Sequence, residues 1–375
     1  MRGILLLVPL LLAMGAIRPE RDAAWQAFAT VTRDAPAFAR WFNESDVFAA
    51  NPSAAPALPF PGQPIGAAAE ASTRLAHIGD APILTFVHYN EAAYRHIRNH
   101  RLEQDAQLRA LATRGEIDPE VPAMRRIPPF PPEATVMMTG WWPIAAHEPT
   151  PLPVWDAPPT GNRSARDYVN WPRVVAVTAS PEIRSGGGIL FAGRRFPAPR
   201  RIVLARFPSI PVDAAMAGRL MADPGSRKAI LIALERPIEP GDRLALVAMH
   251  LLSFARPGGI WATFWWHDQP KTGRFAQGRP ASLPAPWTSY RMDTTVAGNP
   301  RACFNPWFEA RFPDGDRSNC IACHARASYP RTDFLPIRRG NTDHARDPAF
   351  AAGRLRTGGL WSLANPGAPA PQSIR

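Results

Sequence analysis

Residues 320–324 read Cys-Ile-Ala-Cys-His and hold two of the chain's three cysteines. On a short helical turn, two intervening residues bring both thiols to one side, at the spacing of the two vinyl groups of a haem. Each thiol then becomes a thioether, and the histidine behind the second is carried under the macrocycle, within reach of the iron. The roles separate: Cys320 and Cys323 as covalent anchors, His324 as proximal ligand, one haem c in all. A thioredoxin-like pair would want a strand–helix–strand setting, which is not evident nearby. A zinc site would need further ligands, and Cys303 and His344 are available. Cys303 otherwise reads as a small buried hydrophobe.

The other side of such an iron decides between electron transfer and catalysis. His267, in "TFWWHDQP", sits among Trp261, Trp265 and Trp266; His250 lies inside the apolar "LALVAMHLLSF". His267 or His250 is the candidate distal ligand, with His344, Met249 and an open site as alternatives. On a strand Met249 and His250 face opposite ways, so at most one of them faces the iron. Haem propionates are anionic and bidentate, so arginine is their natural partner. Arg326 is the first choice, ahead of Arg317 and Arg331.

These residues must be held by the surrounding elements. Residues 17–125 read as mainly helical. "YNEAAYRHIRNHRLEQDAQLRALATRG" predicts one helix, capped by Asn90 and ended by Gly115. His96 and His100 share a face of it at metal-ligand spacing, with no third ligand placed. The proline-rich "RRIPPFPPEA" marks a boundary. Residues 126–300 are β-rich: "TVMMTGWWPI", "RVVAVTA", "RRIVLARF", "KAILIALER", "DRLALVAMHLLSF" and "GIWATFWWH" have the length and residue choice of strands, and "AAMAGRLMA" that of a short helix. Residues 301–363 form a loop-rich haem-binding segment, and 364–375 a flexible tail. The fold class expected is α+β, with a helical N-terminal part, a sandwich-like β middle and the haem-bearing segment last.

The N-terminus carries an address. "MRGILLLVPLLLAMGA" has one positive charge, an apolar run and small residues at its end, the pattern of a secretory signal over residues 1–16. Export to a periplasm follows for a Gram-negative source, with no stable membrane span after cleavage, because the run is shorter than the roughly 20 residues a span needs. The formal charge of +12 comes almost wholly from arginine, Lys228 and Lys271 being the only lysines. Those charges are scattered rather than clustered with aromatics, which argues against a nucleic-acid partner. No nucleophile triad, phosphate-binding glycine loop or carboxylate pair is evident.

"CIACH" behind such a signal resembles the c-type cytochromes. The stretch "FNPWFEARFPDGDRSNCIACHARASYP", with "WATFWWHD" upstream, resembles a group of large bacterial periplasmic cytochrome-c-like proteins of no known reaction, over about residues 245–330. The chain departs from compact cytochromes c. Their motif lies near the N-terminus with a methionine well after it, whereas the residues after His324 include no methionine. The function this implies is electron transfer through a covalent haem, with a redox partner protein. The long region before the motif keeps two other readings open: a peroxidase-like haem oxidoreductase with an open distal site, or a haem-containing binding or sensing module.

Overall fold

The structure, a computed structural model, describes residues 8–33, 37–64, 82–156, 167–183, 187–296, 301–309, 315–330 and 348–364, with side chains from Pro19 onward. The expected signal, His344, Arg331 and the tail beyond residue 364 therefore fall wholly or in their side chains outside the described residues.

The chain is of the mixed α+β class, a long N-terminal helix preceding mostly antiparallel sheets. In order come helix α1 (Val8–Thr32), strands β1 (Phe42–Asn43) and β2 (Leu84–Tyr89), helices α2 (Glu91–Asn99) and α3 (Asp105–Arg114), and strands β3 (Thr135–Ile144), β4 (Thr150–Val154), β5 (Arg173–Thr178), β6 (Arg200–Val203) and β7 (Ser209–Pro211). Helices α4 (Ala214–Ala222) and α5 (Pro224–Leu234), strands β8 (Arg243–Ser253), β9 (Ile260–Trp266) and β10 (Tyr290–Thr295), and the motif helix α6 (Cys320–His324) follow, with shorter elements between and after them. The central sheet runs β1-β2-β3-β8-β9-β10, with β7 also on β8; β6-β5-β4 form a second sheet. One hydrophobic core joins the two. Among the described residues no helix is long and apolar enough to cross a membrane.

Alternation assigns the two faces of the central sheet. Phe264 of β9 faces α1, where it stacks on Phe28 at 4.1 Å and meets Trp25 edge-on. Trp261, Thr263 and Trp265 face the other way, as does His250, which pairs with Thr263 across β8 and β9. That second face receives the C-terminal segment. Phe308 rests on His250 at 4.7 Å, and a Cβ on Gly140 of β3 would stand 2.9 Å from the Phe308 ring. The buried Asn305 donates to Thr263 Oγ1 and to the Phe264 carbonyl at 2.7 and 2.9 Å. Farther along, residues 328–329 and 355–356 pair with each other, and 355–356 also with 125–126.

Three expectations change. The stretch read as one helix is two: Asn90 caps α2 and Gly115 ends α3, but Arg101 turns left-handed (φ 55°) and Leu102 N–H returns to the Ile97 carbonyl at 2.9 Å. That closure is a Schellman stop, and it sends the fully buried Leu102 into the core. "KAILIALER", read as a strand, lies in helix α5. Asp223 accepts from Ser226 N–H, Pro224 takes the first turn, and both start a helix. Within the region read as mainly helical, Leu84–Tyr89 is instead a strand between β1 and β3 of the central sheet.

Candidate functional site

Asn319 builds the motif helix. Its side-chain oxygen accepts from Ile321 and Ala322 N–H at 3.0 and 3.3 Å. Its amide donates to Thr295 Oγ1 of β10 at 2.8 Å and to the Arg301 carbonyl at 2.7 Å. One buried side chain thus starts α6 and ties it to the sheet edge.

His324 leaves this turn with its ring fixed. Nδ1 donates to the Gly359 carbonyl at 2.6 Å. A carbonyl only accepts, so the proton is on Nδ1 and the lone pair on Nε2, which no hydrogen bond engages among the described residues. Burial holds the imidazole well below its ordinary pKa, at about 4, so it is neutral at pH 7. Trp261 stands against it at 4.8 Å. Gly359 reaches this place because it has no side chain: its φ is +84°, and a Cβ would come within 2.6 Å of the Trp261 ring.

The cysteines are differently occupied. Burial pushes the Cys323 thiol up to about 12, opposed by a hydrogen bond from Trp361. Cys320 Sγ lies 3.3 Å from Cys303 Sγ and 3.3 Å from the Cys303 carbonyl. Cys303 is buried, as its sequence reading had it, but its neighbour is a sulfur. That hydrogen bond, then burial, pushes its thiol well above the usual range. Arg326 packs over the Phe350 ring at 5.0 Å, beside Arg354 over the same ring at 5.1 Å. Burial and the Arg354 charge lower the Arg326 pKa, and its buried Nε has no partner among the described residues.

The two distal candidates part company. His250 lies on the motif's face, the side of the sheet that also carries Trp261. Its Nε2 donates to Glu309 Oε1 at 2.7 Å, and the other oxygen of Glu309 accepts from Asn305 N–H at 2.5 Å. His267 lies past the far end of β9. Six residues at about 3.3 Å each put its backbone about 20 Å along the strand from that of Trp261, whose ring meets His324. Both its nitrogens are used, Nε2 donating to Asp156 at 3.2 Å and Nδ1 accepting from Gln269 N–H at 2.9 Å. It belongs to a charged cluster with Arg173 and Asp268, not to the motif. Met249 is buried on the opposite face, as alternation required.

The tryptophans that flank His267 in sequence form no single wall around it. Trp265 packs on Trp155 and Phe275, Trp266 on Phe207, and Trp307 on Trp142 and Trp171. Trp261 alone of them meets His324, and Trp361 interacts with the Cys323 thiol. His96 and His100 are neighbours at 4.5 Å, but His96 Nε2 is spent on the Pro128 carbonyl. No cluster of three metal-ligating residues occurs among the described residues.

The donor set fits a covalently held haem: two thiols on one capped turn, a neutral imidazole with Nε2 bare, and an orphaned guanidinium nitrogen nearby. Sequence reasoning missed Gly359, Glu309, Trp361 and Arg354. The signals available were the paired glycines 358–359 and the asparagine directly before the motif. No protein-family model matches this chain, and no similar curated protein or solved structure was found.

Proposed function

We propose that the chain is an exported, single-haem, c-type cytochrome-like protein that transfers electrons in the periplasm. Cys320 and Cys323 are the anchors, and His324 is the proximal ligand. The bond from His324 Nδ1 to the Gly359 carbonyl carries the reading. Metal-binding imidazoles characteristically donate their other ring N–H to such a carbonyl, which fixes the tautomer and aims the bare nitrogen at the metal. A bound haem supplies one-electron exchange at its iron. The chain's own residues do the rest. Asn319 holds the anchors on one turn, Trp261 and Trp361 keep water from the proximal side, and Arg326 with Arg354 receives a propionate. His250 is the candidate for the sixth position, and a redox partner protein supplies or takes the electron.

A second reading rests on the His250–Glu309 pair. A histidine held by a carboxylate on the motif's face is acid–base machinery, as a haem oxidoreductase with an open distal site would use. The reduced-minus-oxidised absorption spectrum of the exported protein, with and without carbon monoxide, separates the two. A sharp low-spin spectrum unmoved by carbon monoxide is the expected result. A prompt shift moves the oxidoreductase ahead. Haem that leaves the denatured wild-type chain, or that stays covalently bound when Cys320 and Cys323 are both replaced by Ala, overturns both.

A further inference from the structure

The third cysteine has no part in the haem reading, yet its sulfur is in contact with an anchor. Residues 303 and 319 form a parallel β-bridge, closed by Cys303 N–H on the Ser318 carbonyl at 2.9 Å. Bridged segments lie about 4.8 Å apart, and disulfides span Cα separations of about 4.4–6.8 Å. Cys320, one residue past the bridge, turns its sulfur onto Cys303 at 3.3 Å. Cys323 faces Trp361 instead. The thiols are free in this structure, and closing Cys303 to Cys320 takes a small side-chain movement on a backbone already paired.

We infer that Cys303 and Cys320 form a reversible disulfide in the haem-free chain. The step is thiol–disulfide exchange with an external disulfide, either a protein dithiol oxidase or a small-molecule disulfide. One thiolate attacks the external disulfide and releases one external thiol. The second thiolate attacks the mixed disulfide and releases the other. The Cys303–Cys320 bond forms, the two thiol protons pass to solvent or to the released thiolates, and the external disulfide is reduced by two electrons to two thiols. A dithiol reductant reverses it. The consequence, which rests on the haem reading, is that Cys320 is unavailable for a thioether until the bond is reduced. Cys303 therefore makes haem attachment depend on reductant.

The test is a cysteine map of the full-length haem-free protein, equilibrated with oxidised glutathione, alkylated before and after reduction and digested for mass spectrometry. Only Cys323 is expected to be alkylated before reduction, and all three cysteines after it. A Cys320–Cys323 crosslink, or three free thiols in the oxidant, overturns the inference. In Cys303→Ser, covalent haem is expected to form without added reductant, whereas the wild type needs it. If the variant does not fold, the wild-type map decides alone. A mapped Cys303–Cys320 bond in a chain that takes no covalent haem under any reductant upholds the disulfide and removes the haem reading.

Discussion

Nδ1 of His324 and the carbonyl of Gly359 meet at 2.6 Å across 35 residues of chain. The contact depends on a backbone that only glycine adopts without strain, and on the space its missing side chain leaves beside Trp261. Gly358, also left-handed at φ +63°, would set a Cβ 3.3 Å from Phe130, a milder approach. Gly358→Ala therefore carries mainly the left-handed penalty, about 1–2 kcal/mol. Gly359→Ala adds displacement of Trp261 and of the carbonyl, for about 3 kcal/mol in all. Urea unfolding measures the difference, and in the loaded protein Gly359→Ala alone introduces a high-spin fraction. Equal losses of stability and unchanged spectra in both variants would show that the carbonyl does not steer the ring.

The two distal candidates give opposite expectations. His250→Ala removes the one candidate histidine on the motif's face, so the loaded iron turns high-spin or binds carbon monoxide. His267→Gln leaves the spectrum unchanged, because the backbone there lies about 20 Å along the strand from that of Trp261. It costs about 1–3 kcal/mol of stability instead, since Asp156 and the Gln269 N–H lose a buried partner. A spectral change in His267→Gln, with none in His250→Ala, would reverse the assignment.

How much of this was legible in the sequence depends on the range of each interaction. Cys320, Cys323 and His324 are a local pattern, and so are the apolar runs of β3, β8 and β9. Met249 and His250 facing opposite ways followed from the two-residue period of a strand. The run in α5 defeated that logic because a short apolar stretch fits a buried strand or a buried helix equally, and only the Asp223–Pro224 start distinguishes them. The partners of the motif were out of reach. Gly359 under His324 and Cys303 against Cys320 are set by which face of the central sheet the last segment covers. No spacing within 320–324 encodes that choice.

Asn319 joins local and long-range order, and its two ends can be tested separately. Asn319→Asp keeps the oxygen that accepts from Ile321 and Ala322 but loses the donor to Thr295 and Arg301. Asn319→Ala loses both. An N-cap is worth about 1 kcal/mol, and a buried acceptor left without its donor costs about 1–3 kcal/mol. The expected order of stability is wild type, then Asp, then Ala, and covalent haem yield falls in the same order. A yield that tracks the cap alone, with Asp equal to wild type, would show that the tie to β10 does not position the anchors.

Acid should weaken the fold through His88. This histidine of β2 is fully enclosed, its Nε2 bonded at 3.1 Å to Thr139 Oγ1, which also accepts from Trp141 Nε1–H. Burial lowers its pKa from 6.5 to about 3. The folded state keeps the ring neutral while the unfolded chain takes up a proton below about pH 6.5. Its contribution is therefore complete above pH 6.5 and is lost as pH falls toward 3, at up to about 1.4 kcal/mol per pH unit. The full loss is about 5 kcal/mol. His324, lowered to about 4, acts with the same sign in the haem-free chain. Subtracting the stability of His88→Gln from that of the wild type isolates the first histidine. At pH 7.5 the variant is weaker by about 1–2 kcal/mol, from imperfect packing. Between pH 6.5 and 4 the gap narrows and then inverts, because glutamine takes up no proton. Urea titrations at half-unit steps follow the difference, and parallel curves through this window would mean that His88 titrates with its ordinary pKa in the folded protein.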